Sequence, residues 1–125
     1  MAAFSGFDDQ KYVSLTTYKK NGDAVATPVW IVPRDGKLYV WTSRNSFKAK
    51  RLARDPRCTV AACNASGKKL LGPTSTGAAR IVPDAESEAI VAALKARYGV
   101  AYHLIAFLNV FRRVGDYIVF ELNAT

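Results

Sequence analysis

Three β-branched and aromatic runs fill most of the first 42 residues, and the turns between them are so short that each run must double back on the last. The runs are 11–19 (KYVSLTTYK), 24–33 (AVATPVWIVP) and 38–42 (LYVWT). Asn21-Gly22-Asp23 separates the first two, and Arg34-Asp35-Gly36-Lys37 the second and third. Both carry the Gly and Asx chemistry of tight reversals. Such turns join antiparallel strands only, so the spacing predicts a three-stranded meander.

The periodicity then changes. Residues 46–55 (SFKAKRLARD) suit a short helix, with Ser46 able to cap its start and Pro56 to end it. Residues 57–64 return to strand character, Ser66-Gly67-Lys68 marks a turn, and 69–82 reads as a strand broken near Gly72-Pro73. A helix is predicted over 84–98. Asp84 is its cap, Glu86 and Glu88 lie in its first turns, Lys95 and Arg97 near its end, and Gly99 just past it, as the helix dipole favours. Leu104, Phe107, Leu108 and Phe111 recur at helical spacing, which predicts an amphipathic helix over 102–113, and 115–122 is a final strand. About six strands, mostly antiparallel, with two or three helices must close or pair to hide their edges. The expected fold is a barrel-like, mainly β or α+β architecture. No linker or repeat interrupts residues 1–125, which read as one domain.

Half of the residues are hydrophobic, enough for a sizeable core. Eighteen Lys and Arg against ten Asp and Glu give a net charge of +8, which favours an anionic partner without choosing among nucleic acid, an acidic surface and a phosphorylated small molecule. The N-terminus lacks the basic-then-apolar pattern of a secretory signal, and no stretch reaches the roughly 18 apolar residues of a membrane span. A cytoplasmic protein is expected. Cys58 and Cys63 lie five apart in one predicted strand and so face opposite ways, as small buried residues rather than a disulfide or metal pair. His103 is the only histidine, and no hydrolytic elbow, P-loop, dinucleotide fingerprint or metal-ligand spacing is present.

Two stretches could carry chemistry. Arg44–Arg57 holds six basic residues around a helix start that follows the hydroxyls of Thr42 and Ser43. A helix N-terminus offers unbonded N–H groups, Ser46 adds a hydroxyl, and Lys48 and Arg51 share one helix face. The pattern suits a phosphate site and equally a solvated basic face lying on a sheet. The second stretch is Ala26–Ile31, where Pro28 interrupts a strand and leaves ladder donors open beside it. Trp30 and Trp41 fall on neighbouring predicted strands and could flank a planar ring or simply pack in the core.

Taken in order, Pro28-Val29-Trp30, Leu38–Thr42, Ser46-x-Lys48-x-x-Arg51-Leu52-x-x-Asp55-Pro56-Arg57-x-Thr59-Val60 and Gly77-x-Ala79-Arg80 resemble the pyridoxamine 5'-phosphate oxidase-like superfamily. The Pro-Val-Trp and Ser-x-Lys-x-x-Arg-Leu pattern is similar to its actinobacterial class of small oxidoreductases that use the deazaflavin coenzyme F420. The resemblance implies a split β-barrel with Greek-key topology, working as a homodimer with the cofactor at the subunit interface. It places the cofactor phosphate by Lys48, Ser46, Thr42 and Ser43, with Arg51 as a further anchor. It lays the ring against Thr27, Pro28, Val29 and Trp30, with Trp41 alongside.

Nothing similar to the arginine- and histidine-bearing C-terminal segment of true pyridoxamine phosphate oxidases is seen, which points away from vitamin B6 oxidation. Phe47 stands where many flavin-binding relatives have a second basic residue. Together with the charge of +8, this favours the more anionic F420 over flavin mononucleotide (FMN). The expected function is therefore F420-dependent hydride transfer to a small activated organic acceptor. The alternatives are an FMN-dependent reductase or oxidase, a coenzyme carrier without turnover, and a nucleic-acid binder, the last lacking any recognition signature. No side chain stands out as a proton donor; Tyr18, Tyr39, Tyr98 and Tyr102 are the candidates.

Overall fold

The computed structural model describes residues 3–44, 46–101 and 117–125. The chain runs β1 (Val13–Tyr18), β2 (Ala24–Val29), β3 (Val32–Arg34), β4 (Lys37–Ser43), α1 (Phe47–Arg54), β5 (Arg57–Ala62), β6 (Ser75–Ile81), α2 (Asp84–Tyr98) and β7 (Tyr117–Ala124). All the strands belong to one antiparallel sheet in the order β2-β1-β5-β6-β7-β4-β3. β5, β6 and β7 follow one another, and β4 lies beside β7, which is a Greek-key arrangement.

The sheet order shows why the barrel closes. β2 and β3 are the two edges, yet only Trp30 and Ile31 separate them in the chain. Three Cα steps reach no further than about 11 Å. Laid flat, seven strands would hold their edges about 29 Å apart. The sheet must therefore curl until its edges nearly meet, which makes it a split β-barrel.

The predicted strand 24–33 is thus two strands on opposite edges, raising the number of strands to seven and replacing the expected meander by two separate hairpins. Pro28 does not make the break. It stays in β2 opposite Ser14, as an edge strand permits, and the ladder runs one residue further, to Val29. The Arg34–Lys37 reversal is as expected: Asp35 and Gly36 both take positive φ, the two-residue turn that matches strand twist. The predicted strand 69–82 shortens to β6, with Leu70 making only a single bridge to Cys63 ahead of the Gly72-Pro73 break.

β4 alternates with period two. Leu38, Val40 and Thr42 point into the barrel, where they join Val13, Leu15, Ile31, Val60, Phe120 and Leu122. Ala49 and Leu52 of α1 close one end of this core. Tyr39 and Trp41 point the other way, onto a second cluster formed by Val32, Val82 and Val119 with Ile90 and Leu94 of α2. Ser46 caps α1 as expected, accepting from the Ala49 amide at 3.2 Å. At α2 the cap position falls on Pro83, with no side-chain capping bond, and Asp84 is the first helical residue. Asp84 still places its charge at the positive end of the dipole, which accounts for its presence there. Cys58 and Cys63 are buried free thiols, and burial pushes the Cys58 thiol up to about 11. The predicted helix 102–113, with His103 and Tyr102, lies outside the described residues. None of the described helices is long and apolar enough to cross a membrane, and no His, Cys, Asp and Glu cluster among the described residues could hold a metal.

Candidate cofactor groove

The break between β2 and β3 opens a groove of about 230 Å³ lined by Tyr12, Pro28, Val29, Trp30, Trp41, Thr42 and Lys48. It thus joins the two stretches that the sequence singled out, 26–31 and 42–51. The joining is a product of closure, since β2 and β4 are separated by four strands within the sheet order.

Each wall has an identifiable support. Trp30 belongs to no strand, but continuing the β3–β4 register from Val32↔Tyr39 brings it level with Trp41. Its indole stacks on Tyr98 of α2 with centroids 4.3 Å apart and planes at 8°. The Tyr98 hydroxyl accepts from the Ile31 amide at 3.0 Å and lies within bonding distance of the Ile31 and Lys11 carbonyls, at 3.1 and 2.7 Å. Trp41 stacks on Tyr117 at 4.5 Å and 21°. Both indoles are therefore held by tyrosines on one side while they line the groove on the other.

The polar end is built by α1. Thr42 Oγ1 and Ser46 Oγ share a hydrogen bond of 3.2 Å, and Ser46 also holds the Ala49 amide. The Phe47 and Lys48 amides are the remaining first-turn donors of this helix. Lys48 is half-buried beside them, and among the described residues no carboxylate pairs with it. Desolvation first, and the nearby Arg51 charge second, lower its pKa from the ordinary lysine value. A cation held at such a cost is suited to an incoming anion. Thr27 Oγ1 is likewise buried without a hydrogen-bond partner.

The structure does not bring every expected residue to the groove. Pro28, Val29, Trp30, Trp41, Thr42 and Lys48 line it. Ser46 lies behind Thr42, and Ser43 contributes its carbonyl to the Ser46 amide. Thr27 faces the barrel interior opposite Leu15. Arg51 turns away: its Nε donates to Thr17 Oγ1 at 2.6 Å, and it lines a different depression. Tyr12 is a wall residue that sequence reasoning missed. It precedes β1 as one more aromatic in a strand-like run, and only the approach of its carbonyl to the Cys63 amide locates it. Of the tyrosines weighed as acids, the three among the described residues are otherwise engaged. Tyr39 donates to Glu121 at 3.0 Å, Tyr98 is bound as above, and Tyr18 lies under Arg57.

The chain matches the pyridoxamine 5'-phosphate oxidase family over residues 2–125. It belongs to that family. No curated protein gives a significant match. Solved structures share the family's split barrel at low identity. A protein of unknown function from Agrobacterium tumefaciens has a TM-score of 0.73 at 20% identity, over 92% of this chain and 48% of that one. This chain thus spans about half of the Agrobacterium protein. A conserved hypothetical protein from Mycobacterium tuberculosis has a TM-score of 0.71 at 19% identity, over 98% and 82%. The heme storage protein HutZ from Vibrio cholerae has a TM-score of 0.70 at 18% identity, over 94% and 84%. At these identities the likeness is one of fold.

Proposed function

We propose that this chain is an oxidoreductase of the pyridoxamine 5'-phosphate oxidase family that binds coenzyme F420 and reduces a small activated organic acceptor. One observation carries the reading: an aromatic-walled groove that ends, beside a helix N-terminus, on a half-buried lysine that no carboxylate among the described residues pairs. A planar ring bearing a phosphate matches both halves of that description.

The residues fit such a group. Trp30 and Trp41 offer a flat apolar wall beside the strand edge at Val29–Ile31, where the Ile31 amide is already taken by the Tyr98 hydroxyl. Lys48 and the Phe47 and Lys48 amides would take the phosphate, with the Thr42 and Ser46 hydroxyls behind them. When bound, the deazaflavin would supply the hydride. The chain's own contribution is orientation, removal of water from the ring face, and charge balance at the phosphate. Among the described residues Tyr12 is the one phenol that lines the groove, and solvent would deliver the product proton.

A groove of about 230 Å³ is smaller than the roughly 300–1,000 Å³ of a site that encloses a whole ligand. One chain therefore supplies a wall, and a second copy would supply the facing wall, in keeping with the expected homodimer. FMN differs from F420 in carrying a single phosphate and no acidic tail, so titrating purified protein with both coenzymes separates the two. F420 should bind more tightly, and Lys48→Ala should weaken it at least about tenfold. If neither coenzyme binds better to the wild type than to Lys48→Ala, the site assignment is wrong. Tighter binding of FMN would make this a flavin enzyme.

A further inference from the structure

Along α1, on the side to which Arg51 turns, lies a larger cleft, of about 540 Å³, lined by Lys19, Lys20, Phe47, Lys50, Arg51 and Arg54. Five of the six are cations, and among the described residues none of the five is paired with a carboxylate. The neighbouring acid, Asp55, is taken by Arg57 at 2.8 Å. The two arginines are held in place: Arg51 by Thr17 Oγ1, and Arg54 by the Tyr18 carbonyl. Each uses only part of its donor fork there, so the remaining N–H groups stay available. Phe47 is 76% exposed, which is unusual for so large an apolar ring, and the Lys50 Nζ stands 5.8 Å from its centroid.

We infer that this cleft is a second ligand site, distinct from the Trp30–Trp41 groove, and that it takes a nucleoside polyphosphate. Fixed guanidiniums and flexible lysines together meet several phosphate oxygens. The exposed Phe47 ring, approached by the Lys50 ammonium, offers a stacking surface for a planar base. The volume is that of a site for one small molecule. A second copy of the same face is a poor occupant, because a two-fold contact would set five cations against five. A long nucleic acid would need a basic track beyond one concave cleft.

The test uses the full chain, with ATP, inorganic tripolyphosphate and an oligothymidylate as probes, titrated at low and at physiological salt. ATP and tripolyphosphate should both bind. The Lys19→Gln, Lys20→Gln, Arg54→Gln triple variant should weaken both by about tenfold or more. Phe47→Ala should weaken ATP by about fivefold and leave tripolyphosphate unchanged. Coenzyme binding in the Trp groove should shift less than twofold in the triple variant. The Lys19→Gln, Lys20→Gln double variant, altered only at an exposed turn, gives the same reading should Arg54 matter for folding. Equal ATP binding by wild type and variants would overturn the proposal. So would an oligothymidylate that binds more tightly than ATP, which would assign the face to nucleic acid. ATP binding lost as protein concentration rises would mean that a second copy covers the cleft, and would also overturn it.

Discussion

Trp30 and Tyr98, 68 positions apart in the chain, lie ring on ring at 4.3 Å and 8°, and the same tyrosine's hydroxyl is bonded to both backbone groups of Ile31. The end of α2 thereby fixes the two residues that carry the chain from one sheet edge to the other, and with them one wall of the groove.

Tyr98→Phe tests the hydroxyl alone. It keeps the stack and strands the Ile31 amide at a half-buried site. A loss of about 1–2 kcal/mol of stability is expected, read from the midpoint of a urea unfolding curve at unchanged slope. Tyr98→Ala removes the stack as well and should cost more, with coenzyme affinity falling along with stability.

Lys48 sets stability against binding. Its folded-state pKa lies below its unfolded value, because burial and Arg51 both oppose its charge. The charged form therefore destabilises the fold at neutral pH, and that penalty lifts as pH rises towards the lysine range. Lys48→Met should raise the unfolding midpoint of the free protein, by up to about 1 kcal/mol, while losing anion binding. A destabilised Lys48→Met variant would show that the lysine serves the fold.

Glu121 behaves in the opposite sense. It is buried in β7 and receives Arg80 at 2.8 Å, Tyr39 at 3.0 Å and Asn123 at 3.0 Å, with Lys37 at 3.5 Å. These contacts, the Arg80 bond foremost, hold its carboxyl down at about 2, from the ordinary 4.5. A depressed carboxylate contributes stability in full above its unfolded pKa, and that stability is lost as pH falls from about 4.5 towards 2. Glu121→Gln should cost about 1–2 kcal/mol at pH 7, given that Arg80 is half-exposed, and should flatten the acid limb of a stability-versus-pH curve.

Gly77 is fixed by proximity. A Cβ there would lie 2.9 Å from the Asn123 carbonyl oxygen and 2.9 Å from the Phe4 ring. The Asn123 contact is backbone across the β6–β7 ladder and cannot yield cheaply. Gly77→Ala should destabilise the protein by about 1–3 kcal/mol, measured by thermal unfolding, and the loss should shrink when Phe4→Leu is added.

Much of the fold was legible because its signals are local. Ser46, Pro56, Asp35-Gly36 and the alternation of 38–42 each act over a few residues, and the structure repeats them closely. The Gly77-x-Ala79-Arg80 run was also visible, though only the structure shows that Arg80 serves the buried Glu121. Lys48 could be picked out because a short helix after a hydroxyl-bearing strand end offers few places for an anion.

What the chain alone determined, then, was its strands, its helices and the residue types able to meet a phosphate and a ring. Tertiary structure decided where they meet. Residues 24–33 read as one apolar run, and nothing within it says that its halves join opposite edges. That follows from the pairing partners available to each half and from the closure of seven strands. Lys48 and Arg51 share a helix face, yet Thr17 on β1 draws the arginine into another cleft. Tyr12 carries no signal as sequence and Tyr98 only that of a candidate acid, and they gain their places only when β1 and α2 pack beside the crossover. Local propensity sets dihedral angles, while long-range pairing and burial choose among the ways of assembling them.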